Sequence, residues 1–224
     1  MYKNKKIRNL SFRKSWNNLS LIGNFEHIIV SGFHFDICKM KKYKLDKYIF
    51  VKKFPTKNNK LNEFLENLDL DGLILSGGDN IGDDQKRDQT ENKIINFGLS
   101  NKLPIFGVCR GMQIINEYFG GNVIANDNDN HVGKPHEIHI MDQRFSRLIE
   151  YENIKVNSFH NNIITKNDIG NKLQIFALAL HDNTVEGYYH QDLPIIGVMW
   201  HPERDMISKH QTKLMKIFEN KSLW

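Results

Sequence analysis

Residues 104–121 read PIFGVCRGMQIINEYFGG. LPIFGV (103–108) is a short continuous apolar run, suited to a strand buried on both faces. GMQIINEYF (111–119) has helical spacing and closes at Gly120–Gly121, a C-terminal helix stop. Cys109 stands at the corner between them, flanked by Gly107 and Gly111. A strand–Gly-x-nucleophile-x-Gly–helix order is the pattern of a nucleophile elbow, in which a tight turn holds the nucleophile in a strained conformation and small flanking residues avoid clashes. The side chain then projects at the carboxyl end of the sheet, where open α/β folds place ligands. The free amides of the helix start favour thiolate over thiol, and the backbone N–H of Arg110 becomes an oxyanion donor. A Gly-rich corner kept for packing alone is the competing reading, and the partners of Cys109 decide between them.

Outward from this corner, strands and helices alternate. EHIIVSGF (26–33), KYIFVKKF (47–54) and GLILS (72–76) read as strands. KLNEFLENL (60–68) sets Leu61, Phe64, Leu65 and Leu68 on one helical face, and QTENKIINFGLSN (89–101) is helical as well. This order argues for a parallel sheet covered on both faces. After residue 122 the pattern changes: EIHIM, NIKVN, LQIFALAL, TVEGYYH and PIIGVMW follow as short strands with little helix between them, up to a final helix at about 207–219. The C-terminal half is therefore expected to add antiparallel strands. The partition expected is a basic divergent segment over 1–24 and one domain over 25–224.

Composition excludes several classes. The 224 residues suffice for one full core. No apolar run approaches the roughly 18–20 residues needed to cross a bilayer, and no apolar h-region follows the basic N-terminus. Two cysteines, Cys38 and Cys109, are too few for a disulfide scaffold, which points to the reducing cytosol. The net charge of +5 comes with no nucleic-acid motif and reads as a Lys- and Asn-rich solvated surface.

A Cys nucleophile needs a base, and the base an orienter. VMWHPERD (198–205) supplies His201 at the end of an apolar strand and Glu203 two positions on, the same side of an extended segment. SGGDN (76–80) closes the preceding strand, and Gly78 there can bring its amide close to a ligand.

Together DGLILSGGDN, GVCRGMQIIN, VNSFH (156–160) and GVMWHPE, in that order, resemble the class I glutamine amidotransferase-like superfamily. CRGMQ with VNSFH and TVEGYY (184–189) is most similar to its γ-glutamyl-γ-aminobutyrate hydrolase branch, with further similarity to members from bacterial surface-polysaccharide pathways. The resemblance spans about residues 60–205. It implies a flavodoxin-like open, mostly parallel sheet with helices on both faces and antiparallel additions in the C-terminal half. It implies Cys109 as nucleophile, His201 as base, Glu203 as its support, and the amides of Gly78 and Arg110 as oxyanion hole. Gln113 matches a γ-glutamyl-contacting position, and Ser158, Phe159 and His160 fall where the family holds the amino-acid end of its substrate. His131, His136 and Arg87 are assigned to the leaving-group pocket. HVGKPHEIH (131–139) fits no standard zinc spacing, so no metal and no cofactor are expected.

The implied reaction is hydrolysis of a γ-glutamyl amide through a glutamyl thioester. The substrate is either a small γ-glutamyl amine or a γ-glutamyl-bearing nucleotide; no nucleic acid or membrane is involved, and a homodimer is compatible. The alternative is a glutaminase subunit that supplies ammonia to a separate synthase. The family's usual opening strand and long first helix are not matched: a basic stretch precedes the first strand, and only about 36–46 remains for the first crossover, short for such a connection.

Overall fold

The apolar run before Cys109 becomes a strand in the middle of a nine-stranded sheet. The structure, a computed structural model, describes residues 28–31, 48–50, 58–68, 70–126, 129–202, 204, 209–220 and 224. Within these residues the strands are β1 (Ile28–Ser31), β2 (Tyr48–Phe50), β3 (Gly72–Leu75), β4 (Ile105–Val108), β5 (Ile124–Ala125), β6 (His136–Ile140), β7 (Asn153–Val156), β8 (Asn162–Ile163), β9 (Leu173–Ala179), β10 (Val185–His190) and β11 (Ile195–Val198). The helices are α1 (Asn58–Glu66), α2 (Gln85–Ser100), α3 (Arg110–Tyr118), α4 (Gln143–Ile149) and α5 (Lys209–Glu219), with a 3₁₀ turn at Asp129–His131.

The sheet order is β2-β1-β3-β4-β11-β10-β9-β6-β7, and β5 pairs with β8 in a separate ribbon. The pairings from β2 through to β11 are parallel, and those from β11 outward to β7 antiparallel. Parallel strands need both faces covered, and the burial shows it. Leu73, Leu75 and Ile105 enter one core with Leu61, Leu65, Ile94, Ile95 and Ile115 of α1–α3. Ile74, Phe106 and Val108 point the other way, to Phe145, Leu214 and Phe218 of α4 and α5.

Register places the site. Leu75 pairs with Gly107, and Val198 with Val108. The segments that follow β3, β4 and β11 therefore leave the sheet side by side: Ser76–Gly78, Cys109 and Met199–His201.

Two elements depart from the expected boundaries. Helix α2 starts at Gln85, not at position 89, because the Asp84 carboxylate accepts from the amides of Lys86 and Arg87. Helix α4 lies where little helix was expected. It is short, capped by Asp142, and anchored by Phe145, whose ring stacks on Phe176 at 3.8 Å. The expected segment 1–24, the crossover at 36–46, Cys38 and the side chains of Ile207 and Met215 lie outside the described residues. No helix among the described residues is long and apolar enough to cross a membrane.

Candidate active site

Cys109 occupies the N-cap position of α3 with φ 52° and ψ −109°. A non-glycine residue at positive φ costs on the order of 1–3 kcal/mol and persists only where its surroundings fix it. Here they do. The Cys109 amide donates to Val198 O at 2.8 Å, and its carbonyl accepts from Gln113 N at 3.1 Å. The flanking glycines let α3 sit against the sheet: a Cβ on Gly111 would lie 1.9 Å from Leu75 O, and one on Gly107 2.7 Å from Ile115 Cδ1. The corner is thus a close three-way contact among β3, β4 and α3, and it holds the Cys109 side chain, free and buried, at the carboxyl edge of the sheet.

His201 arrives at the same place from β11. A Cβ built on Gly77 would stand 2.7 Å from His201 Cε1, 3.5 Å from its Nε2 and 3.6 Å from Cys109 Cβ. Imidazole and cysteine therefore converge on one point, with the Gly77 backbone as its floor. His201 is buried, and its backbone is held at both ends by one side chain: its amide donates to Asn157 Oδ1 at 2.9 Å, and Asn157 Nδ2 donates to its carbonyl at 2.8 Å. Glu203 lies outside the described residues.

The segment carrying Gly78 and the start of α3 are tied together by a chain of charges. Arg87 donates through Nη2 to Ser76 O at 3.3 Å and to Gly77 O at 3.1 Å, and through Nε to Glu91 Oε1 at 3.1 Å. Glu91 and Asp88 in turn receive the buried guanidinium of Arg110. Asp88 also accepts from Gly82 N at 2.9 Å. The Arg110 side chain thus turns toward α2, while its amide is among the first-turn N–H groups that no intrahelical carbonyl reaches. Gly78 has no room for a side chain, since a Cβ would sit 2.1 Å from Arg87 Nη1.

A family model, glutamine amidotransferase class-I, matches residues 37–221. The chain belongs to the class-I glutamine amidotransferase family. Its relatives include the Schizosaccharomyces pombe protein PB2B2.05, 34% identical over 183 residues, covering 69% of this chain and 71% of that one. The gamma-glutamyl-CDP-amidate hydrolase of Campylobacter jejuni is 36% identical over 142 residues, covering 61% of this chain and 64% of the hydrolase. Among solved structures, the glutaminase domain of Trypanosoma brucei CTPS with bound acivicin superposes with a TM-score of 0.64 at 16% identity, over 88% of this chain and 94% of that one. This last likeness is one of fold.

In this class-I amidotransferase the remaining candidate residues divide. Gln113 is buried one helical turn after Cys109 and donates to Asn162 O at 3.2 Å. Phe159 is 47% exposed, its ring 5.8 Å from that of His201 and beneath the Arg204 guanidinium at 4.5 Å. It forms a wall beside the Cys–His point. Ser158 turns inward and donates its hydroxyl to His131 O at 2.5 Å. Arg87, assigned by sequence to the leaving-group pocket, directs Nε and Nη2 to the partners named above.

His131, His136 and His160 gather around the wholly buried Glu186, and His160 Nδ1 shares the Asn162 carbonyl with Gln113. His139 points away and pairs with Asn153 at 2.9 Å. Sequence reading had not singled out Asn157, Glu91 or Glu186, and Asp88 was named only as a neighbour of Arg87 that could shape the leaving-group pocket. The first lay in a quoted motif beside its named residues. Glu91 follows Arg87 by four residues and Asp88 by three on the same helix, the visible signal for their network.

Proposed function

We propose that this chain, an amide-bond hydrolase of the class-I glutamine amidotransferase family, cleaves a γ-glutamyl amide through Cys109 and His201. The carrying observation is the convergence of the two side chains over Gly77, with Cys109 strained at the N-terminus of α3. The Cys109 thiolate attacks the δ-carbonyl carbon, and the oxyanion is received by the amides of Gly78 and Arg110. Removing one such donor costs about 3–4 kcal/mol in comparable sites. The C–N bond breaks as His201 gives its proton to the departing amine. His201 then takes a proton from water, which opens the thioester and releases glutamate. Glu203 is the partner that orients His201. Gln113 and Phe159 line the side on which the glutamyl group would lie.

The similarity to gamma-glutamyl-CDP-amidate hydrolase supports a nucleotide-linked γ-glutamyl amide as substrate, in keeping with the positive net charge of the chain. The test is a panel of γ-glutamyl amides, including nucleotide-linked and small-amine members, read by released glutamate. Glutamate release that disappears in Cys109→Ala and His201→Ala is expected. Full activity in Cys109→Ala on every accepted amide would overturn the reading. Glutamine hydrolysis that appears only when a synthase chain is added would replace it with the ammonia-donating one.

A further inference from the structure

We propose that His131, His136, His160 and Glu186 form a binding site for one divalent transition-metal ion, Zn²⁺ by its donor set, which cross-links the wall carrying Phe159. The proposal does not depend on the chemistry at Cys109.

Three ring nitrogens face a single carboxylate oxygen. Glu186 Oε1 lies 3.6 Å from His131 Nδ1, 3.3 Å from His136 Nε2 and 3.5 Å from His160 Nε2. Glu186 is fully buried, and neither of its oxygens has a hydrogen-bond partner; the three facing nitrogens have none either. Donor atoms of His131, His160 and Glu186 all lie within 4.8 Å of one another. Charge-assisted hydrogen bonds between imidazolium and carboxylate would be shorter, about 2.7–2.9 Å. A tetrahedral ion with bonds of about 2.0–2.1 Å separates its ligand atoms by roughly 3.3–3.4 Å. The three nitrogen–oxygen separations lie close to that value; His131, His160 and Glu186 form the compact set, and His136, beside Glu186 but outside that set, completes it by a shift toward the others.

The outer nitrogens point to the same conclusion. His160 Nδ1 lies 2.9 Å from the carbonyl of Asn162, which can only accept, so this nitrogen carries the proton. His131 Nε2 lies 2.8 Å from Asp182 Oδ2 and is fixed in the same way. In a neutral ring each of these bonds leaves the inner nitrogen as a bare lone pair. Two lone pairs and a carboxylate then face one another in a buried interior, which is repulsive unless a cation lies between them. A histidine whose second nitrogen is bound to a carboxylate or carbonyl is the usual arrangement of metal-ligating imidazoles.

The four ligands come from four segments: the 3₁₀ turn, β6, the stretch after β7, and β10. At Glu186 the β9–β10 register is irregular. Val185 pairs with Leu178 and Gly187 with Ala177, so Glu186 has no partner across the ladder. Such irregularities re-aim side chains near functional sites. Access is provided by an open cleft lined by Lys134, His136 and His181, which reaches the outer edge of the cluster.

The test uses the full chain, stripped with dipicolinate and titrated with Zn²⁺ against a chromophoric chelator, then with Co²⁺. Expected are one tightly held equivalent per chain and the strong visible absorption of four-coordinate Co²⁺. Glu186→Gln and His136→Asn should each weaken Zn²⁺ binding by more than about tenfold, since even outer partners of metal ligands are worth 10- to 100-fold. Cys109→Ser and His139→Ala should bind as the parent does. No retention of Zn²⁺ by the parent chain, or affinity unchanged in both ligand variants, would overturn the proposal. Should both variants fail to fold, the Co²⁺ spectrum of the parent decides: four-coordinate absorption supports the site, and an octahedral or absent spectrum removes it.

Discussion

The side chain of Asn157 grips the backbone of His201 from both directions, accepting from its amide at 2.9 Å and donating to its carbonyl at 2.8 Å. A side-chain amide is the one neutral group that can do both in the plane of an extended segment. The imidazole position therefore depends on a residue that need not touch the substrate. Asn157→Ala is expected to lower stability by about 1–3 kcal/mol, because it strands buried backbone groups. It should also lower kcat more than it raises KM. Asn157→Asp keeps the acceptor and loses the donor, so it should fall between the two. Urea unfolding, and steady-state kinetics on whichever amide the panel above shows to be cleaved, check both.

Gly77 is the floor under the Cys–His point, and a methyl group there meets His201 Cε1 at 2.7 Å. Gly77→Ala should displace the ring and reduce kcat by about 100-fold or more, the order expected from a displacement of about 1 Å. Its unfolding midpoint should change far less than its kcat does. Gly82→Ala, where a Cβ meets nothing within 4 Å, is the control for backbone strain alone, since its φ is +96°. Equal kcat in Gly77→Ala and the parent would remove Gly77 from the site.

Arg110 and Glu91 are both buried, and each has a further ionic partner, Asp88 and Arg87 respectively. Removing one member of a buried pair leaves a charge without compensation and costs about 3–5 kcal/mol. Glu91→Ala is expected to lose that much, and Arg110→Met a similar amount. The double variant should recover part of it, with a coupling above about 1 kcal/mol in a double-mutant cycle on urea unfolding. Strict additivity would show that the pair is not coupled.

His190 gives a pH dependence with a defined sign. Burial lowers its pKa against the opposing pull of Asp192, with Lys172 adding to the lowering. Its Nδ1 accepts from the amides of Asp192 at 3.0 Å and Leu193 at 3.1 Å, which requires a lone pair on that nitrogen. The unfolded imidazole takes its proton near pH 6.5 and the folded one only below that. Stability from this group is thus present above about pH 6.5 and lost as pH falls toward the folded value. His190→Gln, which cannot titrate, should show a flatter decline between about pH 7.5 and about pH 5.5. Parallel declines for the two proteins would contradict the assignment.

The parts of this structure that were legible in the sequence are those fixed by short-range pattern. The apolar strand, the Gly-flanked Cys109 and the helix after it are dictated within eighteen consecutive residues, and the contacts of Gly107 and Gly111 explain why no other residue fits there. The position of His201 was legible because it closes an apolar strand, and the register of that strand with β4 sets its end beside Cys109. Helix α4 was not, since seven residues give barely two turns of periodicity. Arg110 was read for its amide alone; its ionic partners lie 19 and 22 positions earlier on a helix whose docking no local pattern specifies. Likewise the meeting of His131, His136 and His160 around one carboxylate was not legible, because their common neighbour Glu186 sits at a register irregularity. Alternation along TVEGYY does not predict where its side chain points.

That irregularity has a counterpart on the neighbouring strand. Past Gly187 the ladder returns to its earlier phase, with Tyr188 opposite Ile175, so Phe176 is skipped just as Glu186 is. Deleting either residue alone would slide everything beyond it by one position and turn Tyr188, Tyr189 and His190 inside out. An evolutionary path that discards the acid by deletion must therefore shorten both strands together, whereas one that substitutes it leaves the frame untouched.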